Sequence, residues 1–252
     1  MSRLLSAYAA AAYAFLHLPL VILGVFSFNS SRFTVWEGFS LRWYRAALEN
    51  TQLIEASWNS LVIAALATLL AAAFGTMCAY GLWKRRSAPL IATLYLSLVT
   101  PEIVMGISLL AFFQWLFRYW NAHLGMHTVV LAHVTFCLAY VAIVVLARLR
   151  TLDPALEEAA MDLGATEWQA FWRVTLPALA PGIAAAAMLS FALSFDDYVI
   201  TSLVAGVDSE TLPMVIYSMA RRGVSPVVNA ISTVIVFGLG VFVLLAERLR
   251  RA

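Results

Sequence analysis

Carboxylates inside apolar stretches are the residues of this sequence with the clearest chemical potential. Glu102 lies in the apolar run 89–117, and Asp196 and Asp197 lie in the run 181–204. A charge in the hydrocarbon interior of a bilayer costs at least about 2.5–3.5 kcal/mol on insertion scales, so such residues usually face a water-filled path or an opposite charge. At 1.5 Å per residue, Glu102 and Asp196 lie at similar depths of roughly 20 Å and roughly 22 Å from the same side. We therefore expect an acidic belt that receives a cationic group.

The two adjacent aspartates should not act alike. On a continuous helix, Asp196 and Asp197 would point about 100° apart, because an α-helix has about 3.6 residues per turn. We expect one of them to face the path and the other to cap a helix or pair with a neighbouring subunit. The alternative for all the buried acids is that they only hold the helices together or line a subunit interface.

The elements that position these acids are long apolar helices. The chain has 252 residues, of which 63% are hydrophobic and 12% are charged, about half the charged fraction of roughly 25% in soluble domains. A helix needs about 20 apolar residues to cross a bilayer, and six runs meet that length: 7–28, 59–83, 89–117, 127–147, 181–204 and 226–246. The prediction is an all-α integral membrane protein with six transmembrane helices in a single domain, 1–252. The third run is longer than a span requires, and Thr100-Pro101 predicts a break within it.

Basic residues predict the orientation of the spans. The clusters Lys84-Arg85-Arg86 and Arg248-Leu249-Arg250-Arg251 fall on the same side of the membrane, and an excess of Lys and Arg marks the cytoplasmic side. Both termini are then cytoplasmic. The first run is an uncleaved signal anchor, because no small-residue cleavage site follows it. On the outer side, residues 41–48 predict a short amphipathic helix at interface depth, which could also serve only as an anchor.

A polar segment, 149–180, lies between spans four and five on the cytoplasmic side; we call it the hook. Asp153-Pro154 predicts a helix start, with an N-cap followed by proline at the first helical position. Gly164 predicts the end of that helix. Thr166 with Gln169 forms a capping-box pattern that opens a second helix, which Pro177 should end. The hook could be a structural loop on the membrane. Its length and its clearly marked helix starts and ends favour a docking surface for a cytoplasmic protein, because typical connections span only about 2–8 residues.

The hook resembles a known element. Glu158-Ala159-Ala160, then Gly164, then Val174-x-Leu176-Pro177 is similar to the EAA loop of ABC importer permeases, although Val174 stands where that family has isoleucine. The resemblance implies that the hook is a two-helix coupling loop seated in a groove of a cytoplasmic ATPase. It implies an ATPase-coupling role for Glu158, Ala159, Ala160, Asp162 and Gly164.

Other motifs resemble one branch of these permeases, the spermidine/putrescine permeases. The similarity is to the second permease of the pair, with the putrescine type slightly closer. It rests on Ser27-Phe28-Asn29-Ser30-Ser31, Leu131-Ala132-His133-Val134-Thr135-Phe136-Cys137, Ser194-Phe195-Asp196-Asp197-Tyr198-Val199-Ile200 and Gly223-Val224-Ser225-Pro226-x-x-Asn229-Ala230. The resemblance implies that the substrate path includes Trp43, Glu102, Ser194, Asp196 and Asp197. Family members usually carry Asp at the position of Glu102.

The resemblance also implies partners and a location. We expect a bacterial inner-membrane permease that pairs with a second, homologous permease subunit, with two ATP-binding subunits and with an extracytoplasmic polyamine-binding protein, embedded in membrane lipid. An acidic belt suits a flexible diamine or triamine, since carboxylates offset the lost hydration of each ammonium group. No cofactor is expected.

Absent motifs narrow the function further. The sequence contains no G-x-x-x-x-G-K-[ST] motif, so the chain does not bind ATP through a P-loop and energy must come from a separate subunit. It shows no catalytic triad pattern, and we do not expect an enzyme. The i,i+4 pair His133 and Cys137 could bind a metal, but with no third ligand packing is favoured, so no metal site is predicted. The net charge of +2 gives no indication of nucleic-acid binding.

Three alternative functions stay open from the sequence. The same machine could carry another small cationic or amino-acid-derived solute. A stand-alone proton-coupled carrier could use the same carboxylates without any ATPase. An intramembrane enzyme would need a nucleophile–base pair, which the sequence does not offer.

Overall fold

The structure, a computed structural model, describes residues 2–33, 35–85, 87–223 and 225–251. Arg86 of the basic cluster and Val224 of the fourth motif lie outside these residues. The described chain folds almost entirely into helices and contains, besides them, a single antiparallel bridge between Asn29 and Phe39. This confirms the all-α prediction. Helices suit a chain in lipid because they satisfy every backbone hydrogen-bonding group internally.

Within the described residues, five helices are long and apolar enough to cross a membrane: Leu4–Ser27, Thr51–Arg85, Glu102–Trp120, Met126–Leu149 and Glu167–Asp196. Two shorter apolar helices, Ala88–Val99 and Pro226–Gly238, complete the predicted runs. The contacts divide the chain into two units, Met1–Glu55 with Val215–Ala252 and Ala56–Met214, and we describe each by itself.

The first unit contains α1 (Ser2–Ser27), α2 (Arg42–Glu49) and α12 (Pro226–Arg251). Helix α12 packs against both α1 and α2. The amphipathic helix predicted at residues 41–48 is confirmed by α2. Trp43 in α2 is buried, and its indole Nε1 donates a hydrogen bond of 2.7 Å to the Asn29 carbonyl.

The second unit is built around α6 (Met126–Leu149), which packs along α9 (Leu176–Asp196) and α4 (Ala88–Val99). Small and β-branched residues of α6, such as Val141, Ala142 and Val145, are fully buried. Small residues on the neighbouring helix allow close approach: a Cβ on Gly75 of α3 (Thr51–Arg85) would lie 2.8 Å from Val141. Membrane helices without a hydrophobic driving force between them associate through such packing.

Two spans of the second unit are broken within the membrane. The break predicted at Pro101 is confirmed: α4 ends at Val99, and α5 (Glu102–Trp120) begins after proline. The prediction of a continuous helix from 181 to 204 is wrong, because α9 ends at Asp196 and α10 (Val199–Val204) follows as a separate helix. Asp197 is extended, at φ −67° and ψ 126°, so the adjacent aspartates are not 100° apart on one helix as expected.

The first hook helix begins one residue later than predicted, with Pro154 rather than Asp153 as its N-cap. Asp153 Oδ1 accepts a 3.0 Å hydrogen bond from the Ala155 backbone N–H at the start of α7 (Ala155–Asp162). After α7 the chain turns at Gly164, whose φ of +93° lies in the region that favours glycine. The capping box of Thr166 and Gln169 opens α8 (Glu167–Ala170).

The prediction that Pro177 ends the second hook helix is wrong. Helix α8 continues through a π-helical segment, Phe171–Thr175, directly into α9, and Pro177 lies in the first turn of α9. A proline inside a helix removes one backbone hydrogen bond and often bends the helix, and here the π-helical segment lies directly before it. The second half of the hook is therefore continuous with span five. Helix α11 (Leu212–Arg221) follows α10 along the chain.

Candidate substrate cavity and coupling surface

The two helix breaks of the second unit border one cavity. Its volume is about 450 Å³, and its lining includes Glu102, Asp196 and Asp197. The three acids predicted to form a belt are thus brought together by the fold. Irregular backbone at membrane depth is tolerated where it lines a cavity or is buried in protein, and here Thr100, Asp197 and Tyr198 line the cavity.

Two of the three carboxylates are uncommitted, which here means that no side chain or backbone group of the described residues pairs with them. Glu102 and Asp196 are exposed, and their side chains make no hydrogen bond or ion pair with the described part of the chain. Glu102 is the first residue of α5, where the helix dipole favours a negative charge. Asp196 is the last residue of α9, where the dipole opposes one. Both acids therefore offer the cavity a carboxylate without an internal partner.

Asp197 is held by a buried network. Its Oδ2 lies 3.3 Å from His133 Nε2, and it accepts hydrogen bonds from the backbone N–H (2.8 Å) and hydroxyl (2.7 Å) of Thr201. His133 Nδ1 lies 2.6 Å from Ser194 Oγ. His133, Ser194 and Thr201 are all buried. The network ties α6, α9 and α10 together and caps the first turn of α10.

The cavity also has an apolar side. Its lining includes Leu98, Met105, Phe136, Leu189 and Leu193, together with the phenolic side chains of Tyr140 and Tyr198. A volume of about 450 Å³ falls within the range of roughly 300–1,000 Å³ that small-molecule sites occupy. Two free carboxylates above an apolar wall can bind a small organic cation with a hydrocarbon body.

The hook presents the predicted coupling residues to solvent. Glu158, Ala159, Asp162 and Gly164 are exposed, and Ala160 is half-buried. Leu163 at the turn is 91% exposed, which is unusual for a leucine outside the lipid-facing helices. An exposed patch of small and apolar residues beside acidic groups marks a protein contact surface.

A family model described as "Binding-protein-dependent transport system inner membrane component" matches residues 71–252. The chain belongs to this family. The match covers the cavity and the hook, so both are features of a transport permease.

Curated relatives of this permease cover most of its length. The putrescine transport system permease protein PotI of Escherichia coli (strain K12) is 44% identical over 236 residues, which is 91% of this chain and 84% of that protein. The spermidine/putrescine transport system permease protein PotC of the same strain is 41% identical over 229 residues, covering 89% of this chain and 85% of that protein.

Solved structures share the permease fold at low identity. A chain of a bacterial ABC transporter that imports the acidic polysaccharide alginate has a TM-score of 0.76 at 18% identity, covering 98% of this chain and 95% of that one. A chain of the MetNI methionine ABC transporter has a TM-score of 0.67 at 18% identity, covering 79% of this chain and 94% of that one. At this level of identity the likeness shows the fold of the chain alone.

The predicted path residues belong to two different units. Trp43 belongs to the first unit of the permease, whereas the cavity is lined by residues of the second. Its indole N–H is already used by the Asn29 carbonyl. Ser194 is likewise committed, since its hydroxyl lies against His133 at the edge of the network rather than among the lining residues.

Sequence reasoning missed two functional candidates. His133 was interpreted as a packing residue, yet it bridges Ser194 and Asp197 behind the cavity. Glu157, a residue of the hook, is buried, and its carboxylate lies 3.0 Å from Lys84 Nζ. A histidine within an apolar run and the single lysine of the chain are the available signals, and neither indicates its partner.

Proposed function

We propose that this chain is a transmembrane permease subunit of an ATP-driven ABC importer that carries polyamines, putrescine or spermidine, into the cytoplasm. The names of the relatives PotI and PotC include putrescine and spermidine. Membership of the binding-protein-dependent transport family supports the importer class. The observation that carries the proposal is the cavity with two uncommitted carboxylates, Glu102 and Asp196.

The chemistry of a polyamine matches that cavity. Each ammonium group loses hydration on entering the membrane, and a facing carboxylate offsets the loss. The methylene chain between the ammonium groups can lie on the apolar wall that includes Leu98 and Met105. Exposed acids also release their cargo readily, since a site for conduction must bind without holding too tightly.

In this proposal the chain supplies the path for the cargo, and other subunits supply ATP hydrolysis and deliver the cargo. The permease would pair with a second, homologous permease, with two ATP-binding subunits beneath the hook and with an extracytoplasmic polyamine-binding protein above. Both termini and the hook lie on the cytoplasmic side of the inner membrane in this proposal. Contact between the hook and the Lys84 end of α3 supports the placement of these two elements on one side.

ATP-driven closure of the ATPase subunits would displace the hook. Because α8 runs through the π-helical segment into α9, that displacement reaches Asp196 along one continuous stretch of helix. Helix α6 precedes the hook in the chain and carries His133. Movement of the hook would therefore open and close the cavity without any catalytic residue in this chain.

Substitution of the free acids tests the proposal. In the assembled complex reconstituted in vesicles, Asp196→Asn and Glu102→Gln should each reduce uptake of labelled putrescine strongly, while the ATPase subunits still co-purify. Glu55→Gln, an equivalent change at an exposed acid away from the cavity, should leave uptake unchanged. Unchanged uptake in both cavity variants would instead favour another cargo.

A further inference from the structure

The cytoplasmic end of α3 carries two side chains that reach the hook. Tyr80 and Lys84 are four residues apart, so they lie on the same face of the helix. Lys84 is the only lysine of the chain. Its ammonium group also lies 5.7 Å from the centre of the Tyr80 ring and 5.4 Å from that of Trp83, which keeps it close to the helix.

Both side chains meet at one carboxylate oxygen of α7. Glu157 Oε1 accepts a hydrogen bond of 2.5 Å from the Tyr80 hydroxyl and lies 3.0 Å from Lys84 Nζ. The Glu157 side chain is only 5% exposed, and its second oxygen has no partner in the described part of the chain. A buried carboxylate depends on such partners, because removing one leaves an uncompensated charge.

Tyr80 also contacts the second half of the hook. Its ring packs against Phe171, the first residue of the π-helical segment, with ring centres 4.6 Å apart. Phe171 is buried. One tyrosine therefore joins α3 to α7 and to the start of the segment that continues into α9.

We propose that these four residues, Tyr80, Lys84, Glu157 and Phe171, form a clamp through which the hook moves span two. The clamp rests on the proposed function, since it assumes that the hook is displaced by an ATPase. The chain connects the hook covalently only to α6 and α9. The clamp adds α3 to the set of helices that the hook moves, and its residues are positioning residues that touch neither cargo nor nucleotide.

The position of Glu157 beside Glu158 explains the division of roles in α7. Adjacent residues on a helix point about 100° apart, so Glu157 faces the transmembrane bundle while Glu158 faces solvent. One acid holds the hook to the permease, and the other remains available to a partner. If the hook docked on the ATPase but were not held to α3, ATP hydrolysis would proceed without moving α3.

The ratio of cargo transported to ATP hydrolysed tests the clamp. In the reconstituted complex, Glu157→Gln and Lys84→Met should lower this ratio several-fold, while the ATPase subunits co-purify in wild-type amounts. Tyr80→Phe, which keeps the ring contact with Phe171 and removes only the hydroxyl, should give a smaller loss. Because Tyr80→Phe changes no charged side chain, it still tests the clamp if the Glu157 and Lys84 variants fail to assemble.

A neighbouring residue provides the control. Arg85→Met changes an exposed charge next to Lys84 and should keep the wild-type ratio. A wild-type ratio in Glu157→Gln and Tyr80→Phe would overturn the clamp. Absence of ATP-dependent putrescine uptake in the unmodified complex would instead overturn the proposed function, so the two failures are distinguishable.

Discussion

Two adjacent aspartates of this permease have different surroundings, although they share a side-chain chemistry. Asp196 ends α9 and is exposed to the cavity, whereas the Asp197 side chain is 5% exposed and paired with His133. The difference arises because the helix stops between them. Asp197 then turns its carboxylate onto the backbone N–H groups of Ile200 and Thr201.

Alanine at each aspartate should separate these roles. Asp197→Ala removes the cap of α10 and the partner of His133, and loss of a helix cap alone costs about 0.5–2 kcal/mol. We expect its melting temperature in detergent to fall clearly. Asp196→Ala, the matched control, removes no internal contact and should melt like the wild type while losing uptake. Equal melting temperatures for the two variants would contradict the assigned roles.

The cavity acids are predictable from the sequence, but the partners of the paired acids are not. A carboxylate in an apolar run is recognisable without a structure, which is why Glu102, Asp196 and Asp197 were found. The partners of Asp197 and Glu157 lie 64 and 73 residues away in sequence, at His133 and Lys84. Local pattern carries no information about such pairs, so the burial of Glu157 beside the exposed Glu158 could not be foreseen.

At the scale of elements, strong local signals were reliable. Pro101 breaks span three, Gly164 ends α7, and the Thr166–Gln169 box opens α8 as predicted. Hydropathy failed where the backbone changed direction inside an apolar run, at Asp197. The proline signal failed at Pro177, because α8 continues through the π-helical segment into α9 and this proline lies within a continuous stretch of helix.

The turn at Gly164 leads to a prediction about the connection between two helices. Its φ of +93° is strained for any residue with a Cβ, although a Cβ would meet nothing within 4 Å. Gly164→Ala should therefore destabilise the permease by about 1 kcal/mol or more through the backbone alone. Gly81→Ala, at a helical glycine with equal space around it, should be neutral or stabilising by about 0.5–1 kcal/mol. Thermal melting of both variants checks this, and an unchanged Gly164→Ala would argue against a rigid turn.

At the scale of the whole molecule, the second unit contains both the cavity and the hook. We propose that the cavity binds the cargo and that the hook contacts a separate ATPase. One continuous stretch from α8 to α9 links them. The composition of the chain predicts the membrane fold, whereas the surroundings of the three cavity acids are visible only in the folded structure.

Cargo should move through this chain only when a separate ATPase drives the hook. The most direct measurement is uptake of labelled putrescine into vesicles containing the complete complex and its binding protein. We expect uptake with ATP at the ATPase subunits, none with a non-hydrolysable analogue, and no loss when a protonophore collapses the proton gradient. Uptake by this permease alone, driven by a proton gradient without any ATPase, would contradict the claim.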